Sequence, residues 1–470
     1  MKRFSPYLAA VGLAVLLGAS LPASAQLRVV SWNSSGRTGS DVNAVLRGIG
    51  AERRSGIAKP IDVLLLQESS GATGTAQSYV NALNSLYGAG TYARGTLTPA
   101  EVSVATGGTQ SIVYRVSSVE LVSETVVGTV STSGAARQQV RHEIRPVGYS
   151  GAASSMFLYN GHFKAGNDSI DRTRRDAEAG QVRTNADALG ANRNIVYAGD
   201  YNVYRASEAM WATLTLAGNG RANDPINQVG EWSDSTQYKG VHTQSPAANG
   251  NSRYSGQTLG GMDDRFDFQT MSDALINTSG ISYISGTYRA FGNTNTHAVN
   301  GDITGGSASA FAANLTDYTN DMATDLLESI ARSCDHIPVV ADYQIPARMG
   351  VSVSGAPTTA VIVGANVSLL ATVSNTANVI TANGADTLAF TASGTGAITG
   401  GGTGTDAALG AGVDRALTVG TATAGAKIGT VNVSSSSEAV ANGTFSQNFS
   451  VNVLDHANAS FSSLTDTNTL

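Results

Sequence analysis

The sequence has almost no cysteine and no excess of positive charge. Among its 470 residues, Cys334 is the only cysteine, so an intramolecular disulfide is excluded. A lone thiol is most often simply buried, and we expect a packing role for it. Lysine and arginine together number 29, against 35 aspartates and glutamates, which gives a formal net charge of −6. Bulk electrostatics therefore do not indicate a nucleic-acid binder, although a metal cluster can supply local positive charge to an acidic protein.

Long apolar runs are missing after the first 25 residues. Those residues resemble a secretory signal, with Lys2 and Arg3 at the start, an apolar centre over 8–17, and the small residues Ala-Ser-Ala at 23–25. An uncleaved anchor is the alternative, but the apolar centre is shorter than the ~20 residues that a membrane span needs. We therefore predict a signal peptide over 1–25, a secreted or cell-envelope protein, and no stable membrane insertion.

The composition changes near residue 347. Beyond it, Gly, Ala, Ser, Thr and Val dominate, and after residue 352 the only basic residues are Arg415 and Lys427. Runs such as VSLLATV and FSQNFSVNV alternate apolar and small polar residues between Gly- and Asn-rich turns, which is typical of an all-β sandwich. We predict a boundary at 346–352, a small all-β, immunoglobulin-like sandwich domain over 353–456, and a tail over 457–470. This domain shows no catalytic group, and we expect a stalk, spacer or adhesion module that binds a surface component.

The first part of the chain, 26–346, alternates predicted strands and helices. LRVVSWN, IDVLLLQE and NIVYAGDYN are apolar strand patterns, and residues 40–54 place Val42, Val45, Leu46 and Ile49 on one helical face, with Ser40 or Asp41 before it as the N-cap. Strands that are buried on both faces, with helices between them, predict a layered α/β core. In a second predicted helix, Arg175 and Glu178 are three positions apart, and we interpret them as an ion pair on a solvated face.

Several predicted strands end in an unusual polar residue. These residues are Asn33, Glu68, His162, Asp200 with Asn202, and Asp335 with His336. Ligands usually bind at strand ends in layered α/β domains, so neighbouring strands would bring these groups together. Carboxylate and amide oxygens are ligands that Mg²⁺ prefers, while two histidines and Asp200 could transfer protons and contact a phosphate. Each residue alone also has an ordinary reading as a turn, cap or solvated side chain; their shared position favours a site.

Six motifs carry a family resemblance. In order they are SWN, LLLQES, YNGHFKAG, AGDYN, DDRFDF and SCDHIPV. This set resembles the endonuclease/exonuclease/phosphatase superfamily, which has the deoxyribonuclease-I-like fold, and the resemblance covers residues 27 to about 345. It implies a four-layer α/β/β/α sandwich built from two packed sheets, followed here by the all-β domain.

The resemblance also implies roles for individual residues. Asn33, Glu68 and Asp335 would hold Mg²⁺ or Mn²⁺. Asp200 would position or deprotonate the attacking water, and Asn202 would orient the phosphate or the water. His162 and His336 would contact the scissile phosphate, and either Asp264 or Asp267 would orient His336. Because Asp200 and Asn202 occupy alternate positions, we expect both side chains to face the same side of the strand exit.

These observations lead to three functional hypotheses. The first is an exported, Mg²⁺-dependent phosphodiesterase acting on extracellular nucleic acid. The segment SSGATG directly after Glu68 lacks the arginine that deoxyribonuclease-like enzymes have there, which disfavours duplex DNA. The second keeps the chemistry but acts on a phospholipid head group, as sphingomyelinase-like relatives do. The third is a surface or adhesion protein with an inactive relic domain. We expect a monomer, and we expect residues 27–346 alone to keep full activity.

Overall fold

The computed structural model of this protein describes residues 26–97 and 108–457. The predicted signal peptide over 1–25 and nearly all of the predicted tail lie outside the described residues. Within the two described ranges, no helix combines the length and apolarity that a membrane crossing requires.

The first domain alternates strands and helices as the apolar patterns predict. Its strands are β1 (Leu27–Asn33), β2 (Arg53–Arg54), β3 (Ile57–Ala58), β4 (Val63–Ser69), β5 (Tyr92–Arg94), β6 (Thr109–Arg115), β7 (Val119–Val127), β8 (Gln139–Pro146), β9 (Met156–His162), β10 (Asn194–Asp200), β11 (Asp267–Met271), β12 (Ser282–Tyr283), β13 (Arg289–Ala290) and β14 (Val339–Gln344). Its helices are α1 (Ser40–Ala51), α2 (Gln77–Tyr87), α3 (Ser169–Asp187), α4 (Ala209–Thr215), α5 (Asp273–Ile276), α6 (Ala308–Ala312) and α7 (Asn320–Ser333).

Helix α1 shows how the apolar pattern fixes local structure. Val42, Val45, Leu46 and Ile49 are all buried, as their helical spacing predicts. The N-cap is Gly39, one residue before Ser40 and two before Asp41, the two predicted caps, and no side chain caps this end. The apolar spacing therefore predicts the helix and its buried face, whereas the polar residues near its start do not predict its first residue.

The strands of the first domain form two main sheets. One sheet has the order β12-β14-β1-β4-β6-β5, with β13 beside β14, and the other has the order β11-β10-β9-β8-β7. In the first sheet β1 and β4 are parallel, and in the second β9 and β10 are parallel. Their carboxyl ends are the ends that carry the polar residues singled out in the sequence.

The two sheets pack face to face, and helices cover their outer faces. Leu65 of β4 and Leu158 of β9 belong to the core between the sheets. On the outer face of the first sheet, Val30 of β1 packs in a second core with residues of α1 and α7. On the outer face of the second sheet, Tyr159 and Tyr197 pack against α3 and α4. The domain therefore has four layers in the order α/β/β/α, and the predicted α/β core is confirmed.

The C-terminal region consists of strands, which confirms its prediction as all-β. Its strands are β15 (Met349–Ser354), β16 (Val361–Ile362), β17 (Val367–Asn375), β18 (Leu388–Gly396), β19 (Ile398–Asp406), β20 (Val413–Val419), β21 (Gly425–Ser435) and β22 (Thr444–Leu454). They are hydrogen-bonded in the order β15-β17-β20-β19-β18-β21-β22-β16. Leu369 of β17 and Val451 of β22, from opposite parts of this order, share one core, so the strands fold over on each other.

The junction between the two regions differs from the sequence prediction. Strand β15 begins at Met349 and pairs with β17, so part of the predicted boundary segment 346–352 belongs to the β region. Met349 is buried and packs with Phe390, which explains why this segment is ordered as a strand. Met349, Val351 and Val353 alternate with small residues, so the strand pattern is present in the sequence, but the predicted boundary was placed across it.

The C-terminal region is packed against the first domain through a buried surface. Ala377, Ala385 and Ala408 share a hydrophobic core with Leu27 and Tyr343 of the first sheet. At the same junction, the Tyr149 hydroxyl donates to the carbonyl of Pro346 at 2.7 Å, and the side chain of Gln26 accepts from the Ile380 N–H at 3.0 Å. This contact argues against a loosely attached spacer and against the expectation that residues 27–346 suffice for full activity.

Candidate active site at the carboxyl edge of the sheets

The polar residues predicted from the strand ends converge at one edge of the two sheets. Asn33 closes β1 opposite Gln67 of β4, and Asp200 closes β10 opposite His162 of β9. The Nδ2 group of Asn33 joins the two sheets, because it donates to Asp200 Oδ2 at 3.0 Å. These side chains are fully or almost fully buried. The parallel pairs of both sheets therefore end in one shared cluster, as the strand-end argument predicts.

Glu68 reaches this cluster because the strand is irregular at its position. The pairing of β4 with β6 shifts register between Leu66 and Ser69, and Glu68 adopts a left-handed φ of 53°. A bulge of this kind re-aims a side chain that regular alternation would send elsewhere. Asn33 Nδ2 donates to Glu68 Oε1 at 3.1 Å, so a single amide bridges the carboxylates of Glu68 and Asp200.

Gly199, which precedes Asp200, is required by the close approach of β9 and β10. Its φ is 139°, and a Cβ placed on it would lie 1.9 Å from the carbonyl oxygen of Gly161. Because the obstacle is backbone, no side-chain movement can relieve it. The Gly-Asp sequence of the motif therefore serves to bring His162 and Asp200 side by side.

His162 lies beside both bridged carboxylates. Its Nε2 is 3.7 Å from Glu68 Oε1 and 3.6 Å from Asp200 Oδ2, and the residue is only 3% exposed. The strand fixes its backbone further, because the His162 N–H donates to the side chain of Gln139 at 2.8 Å. The imidazole therefore lies within reach of the carboxylate oxygens of both acids.

His336 is oriented by Asp267 and not by Asp264. Its Nδ1 lies 2.7 Å from Asp267 Oδ2, and its Nε2 lies 3.7 Å from Asp200 Oδ2. Asp264 makes no ion pair with His336; its side chain is hydrogen-bonded with Ser233, and burial raises its pKa to about 6. The sequence left these two acids as alternatives, and the geometry selects the one that belongs to strand β11.

Burial and mutual repulsion shift the ionisation of the cluster. Burial, with Asp267 and Glu68 nearby, raises the pKa of the Asp200 carboxyl to about 7, although His336 and the Asn33 hydrogen bond oppose the shift. Burial alone would lower the pKa of His336, but Asp267, Asp200 and Asp335 raise it well above its ordinary value. Near neutral pH, the site therefore holds a protonated imidazole beside a carboxyl that can accept a proton.

Asp335 lies next to the cluster on the side of Ser35. Its Oδ1 accepts from the Ser35 hydroxyl at 2.8 Å and lies 3.3 Å from Cys334 Sγ. Burial would raise the pKa of Asp335, but His336 and hydrogen bonds from Thr258, Ser35 and Cys334 hold it below its usual value. Among the described residues, the groups of acids and histidines close enough to share an ion are Glu68, His162 and Asp200, and Asp200, Asp267 and His336. Asp335 belongs to neither group, so its role as a ligand stays a prediction.

Cys334 is buried, as its isolation in the sequence suggests. The residue is 0% exposed, and its thiol donates to the carbonyl of Asn33 at 3.0 Å. Burial raises the pKa of the thiol well above its ordinary value, which keeps it protonated and unreactive. It packs behind the site, and its thiol also lies 3.3 Å from Asp335 Oδ1.

Asn202 is held at the site by a different geometry from the one predicted. Strand β10 ends at Asp200, and Asn202 has a left-handed φ of 49°, so strand alternation does not apply to it. Its N–H donates to Asp200 Oδ1 at 2.9 Å, and its side-chain amide donates to the carbonyl of Phe163 at 3.1 Å. The two residues are neighbours because the chain turns tightly around the Asp200 carboxylate.

Sequence reasoning missed Gln244. Its side-chain Nε2 lies 2.7 Å from Nε2 of His336, on the ring nitrogen that Asp267 leaves available. Its backbone forms isolated bridges with both Asp264 and His336, which places it firmly beside the imidazole. Gln244 follows no apolar strand pattern, so a search of strand ends could not find it.

The predicted ion pair between Arg175 and Glu178 is wrong. Arg175 is buried and pairs with Glu208 at 2.7 Å, while Glu178 accepts from the backbone N–H groups of Ala136, Arg137 and Lys164. Burial raises the pKa of Glu178 to about 7. The two side chains fix the loops around α3 and do not form a solvated face.

The donors at this edge suit a hard divalent cation. Glu68 and Asp200 direct carboxylate oxygens to one amide, and Asp267 and Asp335 add two further acids close by. Among the contacts the structure describes, none of these four carboxylates pairs with a lysine or an arginine. Burying carboxylates without a matching cation is unfavourable, and oxygen-rich donor sets of this type favour Mg²⁺ or Mn²⁺.

Comparison with known proteins finds similarity in architecture. No family model and no curated protein matches the sequence. An endonuclease/exonuclease/phosphatase from Bacteroides vulgatus matches at 12% identity with a TM-score of 0.39, covering 68% of this chain and 99% of the other. TDP2 from D. rerio, complexed with single strand DNA product, matches at 15% identity with a TM-score of 0.39, covering 68% and 99%.

A third structure extends over more of this chain. An endonuclease/exonuclease/phosphatase from Beutenbergia cavernae matches at 15% identity with a TM-score of 0.39, covering 91% of this chain and all of the other.

Proposed function

We propose that the first domain is a divalent-metal-dependent phosphodiesterase of the endonuclease/exonuclease/phosphatase type. The observation that carries this proposal is the bridge of Asn33 between Glu68 and Asp200, flanked by the imidazoles of His162 and His336. It collects at one edge the oxygen ligands, the proton acceptor and the proton donor that hydrolysis of a phosphoester requires.

Glu68 would hold the metal with, as the motif resemblance implies, Asn33 and Asp335. Asn33 would bind it through its amide oxygen, which here accepts from the N–H of Ser35 at 3.2 Å. A bound Mg²⁺ or Mn²⁺ supplies Lewis-acid stabilisation of the negative charge on the phosphoryl group. Asn33 keeps the carboxylates of Glu68 and Asp200 at a fixed separation, because its amide donates to both.

Asp200 is the proposed group that positions and deprotonates the attacking water. Its carboxyl is 1% exposed, and its pKa of about 7 lies where a general base is effective at neutral pH. One oxygen is held by the N–H of Asn202 and the other by Asn33. These contacts prevent the carboxylate from rotating away from a water placed between the two sheets.

His336 is the proposed proton donor, and His162 the second phosphate-contacting imidazole. Asp267 holds Nδ1 of His336, so Nε2 is left to face the cluster, and beside a protonated ring the Gln244 amide must present its oxygen and not its nitrogen. The raised pKa of His336 keeps the ring protonated near neutral pH, which suits a hydrogen bond to a phosphoryl oxygen or to the leaving oxygen. An intact set of these groups argues against a decayed relic domain.

We further propose that the protein is exported and that its substrate is extracellular nucleic acid. The support is the predicted signal peptide together with the histidine of the motif NGHF, His162, a position that resembles the deoxyribonuclease, sphingomyelinase and inositol-phosphatase branches of the superfamily. The immunoglobulin-like identity of the C-terminal domain, its binding of a surface component and the monomeric state are likewise proposals.

A substrate panel tests the proposed function. The full-length mature chain would be assayed with DNA, RNA, mononucleotides and phospholipid vesicles, with Mg²⁺ and with a chelator. We expect chelator-sensitive cleavage of nucleic acid, abolished by His336→Gln and unchanged by His456→Gln, which alters an exposed histidine of the β region. Cleavage of phospholipid alone would show that the substrate is not nucleic acid, and it would leave the proposed phosphoester hydrolysis intact. No cleavage of any substrate would refute the hydrolase.

A further inference from the structure

The side chain of Gln244 contacts the ring nitrogen of His336 that faces the proposed active site. Its amide lies 2.7 Å from Nε2 of His336, and Asp200 Oδ2 lies 3.7 Å from the same nitrogen. Gln244 is partly exposed, whereas His336 and Asp200 are only 4% and 1% exposed. The Gln244 amide is therefore a group beside Nε2 that a ligand entering from solvent can reach.

The backbone around Gln244 is fixed from two directions. The N–H of Gln244 donates to the carbonyl of Asp264 at 3.2 Å. In the preceding residue, Thr243, the carbonyl accepts from the Ile337 N–H at 2.9 Å, and the hydroxyl accepts from the Asp267 N–H at 3.0 Å. The segment is thus tied both to the start of β11 and to the residue after His336. The backbone holds the amide beside the ring, and the amide can turn only about its own side-chain bonds.

The Gln244 amide has an N–H donor to spare in either orientation. If its nitrogen faces Nε2, one N–H points to the ring and the second is free. If its oxygen faces Nε2, as a protonated ring requires, both N–H groups are free. Among the described residues, the contact with His336 is the only hydrogen bond of this side chain. The structure therefore leaves a partly exposed donor without a protein acceptor beside the proposed proton donor.

The other carboxamides at this edge already donate to protein acceptors. Asn33 donates to two carboxylates of the cluster, and Asn202 donates to the carbonyl of Phe163. Gln244 differs from both, because no carbonyl or carboxylate accepts from its amide. A phosphoryl group that enters an acidic cluster needs hydrogen-bond donors in addition to the metal. A neutral amide can supply such a donor, as glutamine and asparagine side chains do in oxyanion holes.

We propose that the Gln244 amide donates a hydrogen bond to a non-bridging oxygen of the phosphoryl group under attack, next to Nε2 of His336. This inference rests on the proposed phosphoesterase function and adds a catalytic residue to it. Two adjacent donors would stabilise the negative charge that develops in the transition state. The alternative is a positioning role, in which Gln244 holds the ring of His336 and never touches the substrate.

Gln244→Met removes the donor and keeps the length of the side chain. We expect kcat to fall about 10²-fold, as for the loss of one oxyanion-hole donor, with KM nearly unchanged. Steady-state assays of the full-length chain with Mg²⁺ would measure this, and Tm should stay close to that of wild type because the side chain is partly exposed. Gln344→Met is the matched control. Its amide donates to the carbonyls of Thr278 and Gly280 at the opposite edge of the first sheet, and its activity should equal that of wild type.

Gln244→Glu separates the proposed contact from a positioning role. A carboxylate can still accept a hydrogen bond from Nε2 of His336, so it would hold the ring at least as well as the amide does. It has no N–H to offer to a phosphoryl oxygen. We therefore expect kcat to fall at least as far as in Gln244→Met.

Phosphorothioate substrates locate the contact on one oxygen. Sulfur in place of either non-bridging oxygen of the cleaved phosphodiester gives two diastereomers, and sulfur is the weaker hydrogen-bond acceptor. If the amide donates to one of these oxygens, the ratio of the two cleavage rates should change about 10-fold between wild type and Gln244→Met. The ratio in Gln344→Met should equal that of wild type. A positioning role would slow both diastereomers by the same factor.

The outcomes distinguish the inference from the proposed function. Wild-type kcat in Gln244→Met, wild-type activity in Gln244→Glu, or an unchanged diastereomer ratio would overturn the contact and leave the hydrolase intact. If the wild-type protein cleaves no phosphoester, the proposed function is refuted, and calorimetric titration of inorganic phosphate with Mg²⁺ present decides the contact. Phosphate binding weakened about 10-fold in Gln244→Met would support it. Equal affinity in the two proteins, or no binding by wild type, would overturn it.

Discussion

The two ends of strand β1 bury charge in opposite ways. At the amino-terminal end, Arg28 is 0% exposed and forms two hydrogen bonds with the carboxylate of Asp342, at 2.8 and 2.9 Å. Its remaining donors reach backbone carbonyls, including that of Ile49 at 2.8 Å. Nearby, Lys59 pairs with Asp62 at 2.5 Å, and Arg289 pairs with Glu52. Three buried bases thus meet three buried acids at this end, and the partly exposed Arg54 adds a further ion pair with Glu52.

At the carboxyl end of the same strand, the acids exceed the bases. Glu68, Asp200, Asp267 and Asp335 surround two histidines, His162 and His336. The pKa values reflect this difference: burial would raise the pKa of Asp342, but Arg28 lowers it below the usual value, whereas the pKa of Asp200 rises to about 7. We call the amino-terminal end of β1, where buried acids and bases match, the balanced end, and the carboxyl end, where acids exceed bases, the unbalanced end. Matched buried charges indicate a structural role, whereas an excess of buried acids indicates a site that needs a cation.

The largest expected effect comes from removing the C-terminal β region, which packs against the balanced end. A chain ending after Ala347 would expose Leu27, Tyr343 and Ile345, which now share a core with the β region. Each buried apolar side chain contributes about 1.5–3 kcal/mol, so several together approach the whole stability of a domain. We expect this fragment to be insoluble or to lack a cooperative urea transition. A soluble fragment with the same unfolding midpoint as the full chain would show that the interface is dispensable.

At the unbalanced end, Asp200→Asn should abolish catalysis without unfolding the protein. The change removes the proposed base while keeping the shape of the side chain, and we expect kcat/KM to fall about 10³-fold. Steady-state assays with Mg²⁺ would measure this, with Asp325→Asn on the exposed face of α7 as the control. Activity of Asp200→Asn within a few-fold of the control would remove Asp200 from the mechanism.

Asp342→Asn should show the reverse pattern. It leaves the buried guanidinium of Arg28 without a charged partner, and breaking a buried pair costs about 3–5 kcal/mol. Urea unfolding of the metal-free protein should show this loss, whereas Asp200→Asn should be as stable as wild type or more so. Equal destabilisation by the two variants would mean that both ends are structural.

Mg²⁺ should stabilise the protein only through the unbalanced end. A ligand present at 100 times its Kd adds about 2.7 kcal/mol to the free energy of unfolding. We expect a Mg²⁺-dependent rise in Tm for wild type and Asp342→Asn, and a greatly reduced rise for Glu68→Gln. If Glu68→Gln responds like wild type, then Glu68 does not hold the ion.

The smallest expected effect is an opposite pH dependence of the two ends in the metal-free protein. The folded pKa of Asp200 is raised from 3.8 to about 7, so the folded state binds the extra proton and stability falls as pH rises from about 4 to 7. The folded pKa of Asp342 is lowered, so its contribution is present above the unfolded pKa and is lost as pH falls through the folded pKa.

Asp200→Asn should flatten the fall in stability between pH 4 and 7, because it removes the carboxyl whose pKa burial raises. Urea midpoints measured at several pH values would show it, with Asp325→Asn retaining the wild-type slope. An unchanged slope in Asp200→Asn would show that its carboxyl is not the group that titrates.

Patterns that repeat along the chain were the predictable part of this structure. The apolar strands placed Asn33, Glu68, His162 and Asp200 at strand ends, and parallel neighbours brought those ends together. His336 was predictable through its motif. These predictions succeeded because the carboxyl ends of neighbouring parallel strands lie at the same edge of a sheet.

Contacts between elements far apart in the chain could not be predicted in this way. The choice of Asp267 over Asp264 depends on where β11 begins, and the place of Gln244 depends on a loop without periodicity. Arg175 pairs with Glu208 and not with its helical neighbour Glu178. All three residues are buried, so their partners come from other elements packed around α3, which helical spacing does not reveal. The interface of the β region uses small residues such as Ala377, which carry no signal of contact in a sequence rich in alanine.

The most direct test is a calorimetric titration of Mn²⁺ into full-length wild type, Glu68→Gln, Asp200→Asn and Asp342→Asn. If the unbalanced end binds the ion, wild type and Asp342→Asn should bind Mn²⁺ saturably. Glu68→Gln and Asp200→Asn should bind it at least about 10-fold more weakly. Equal Mn²⁺ affinity in all four proteins, or no binding by wild type, would contradict the assignment of the carboxyl edge as a metal-dependent active site.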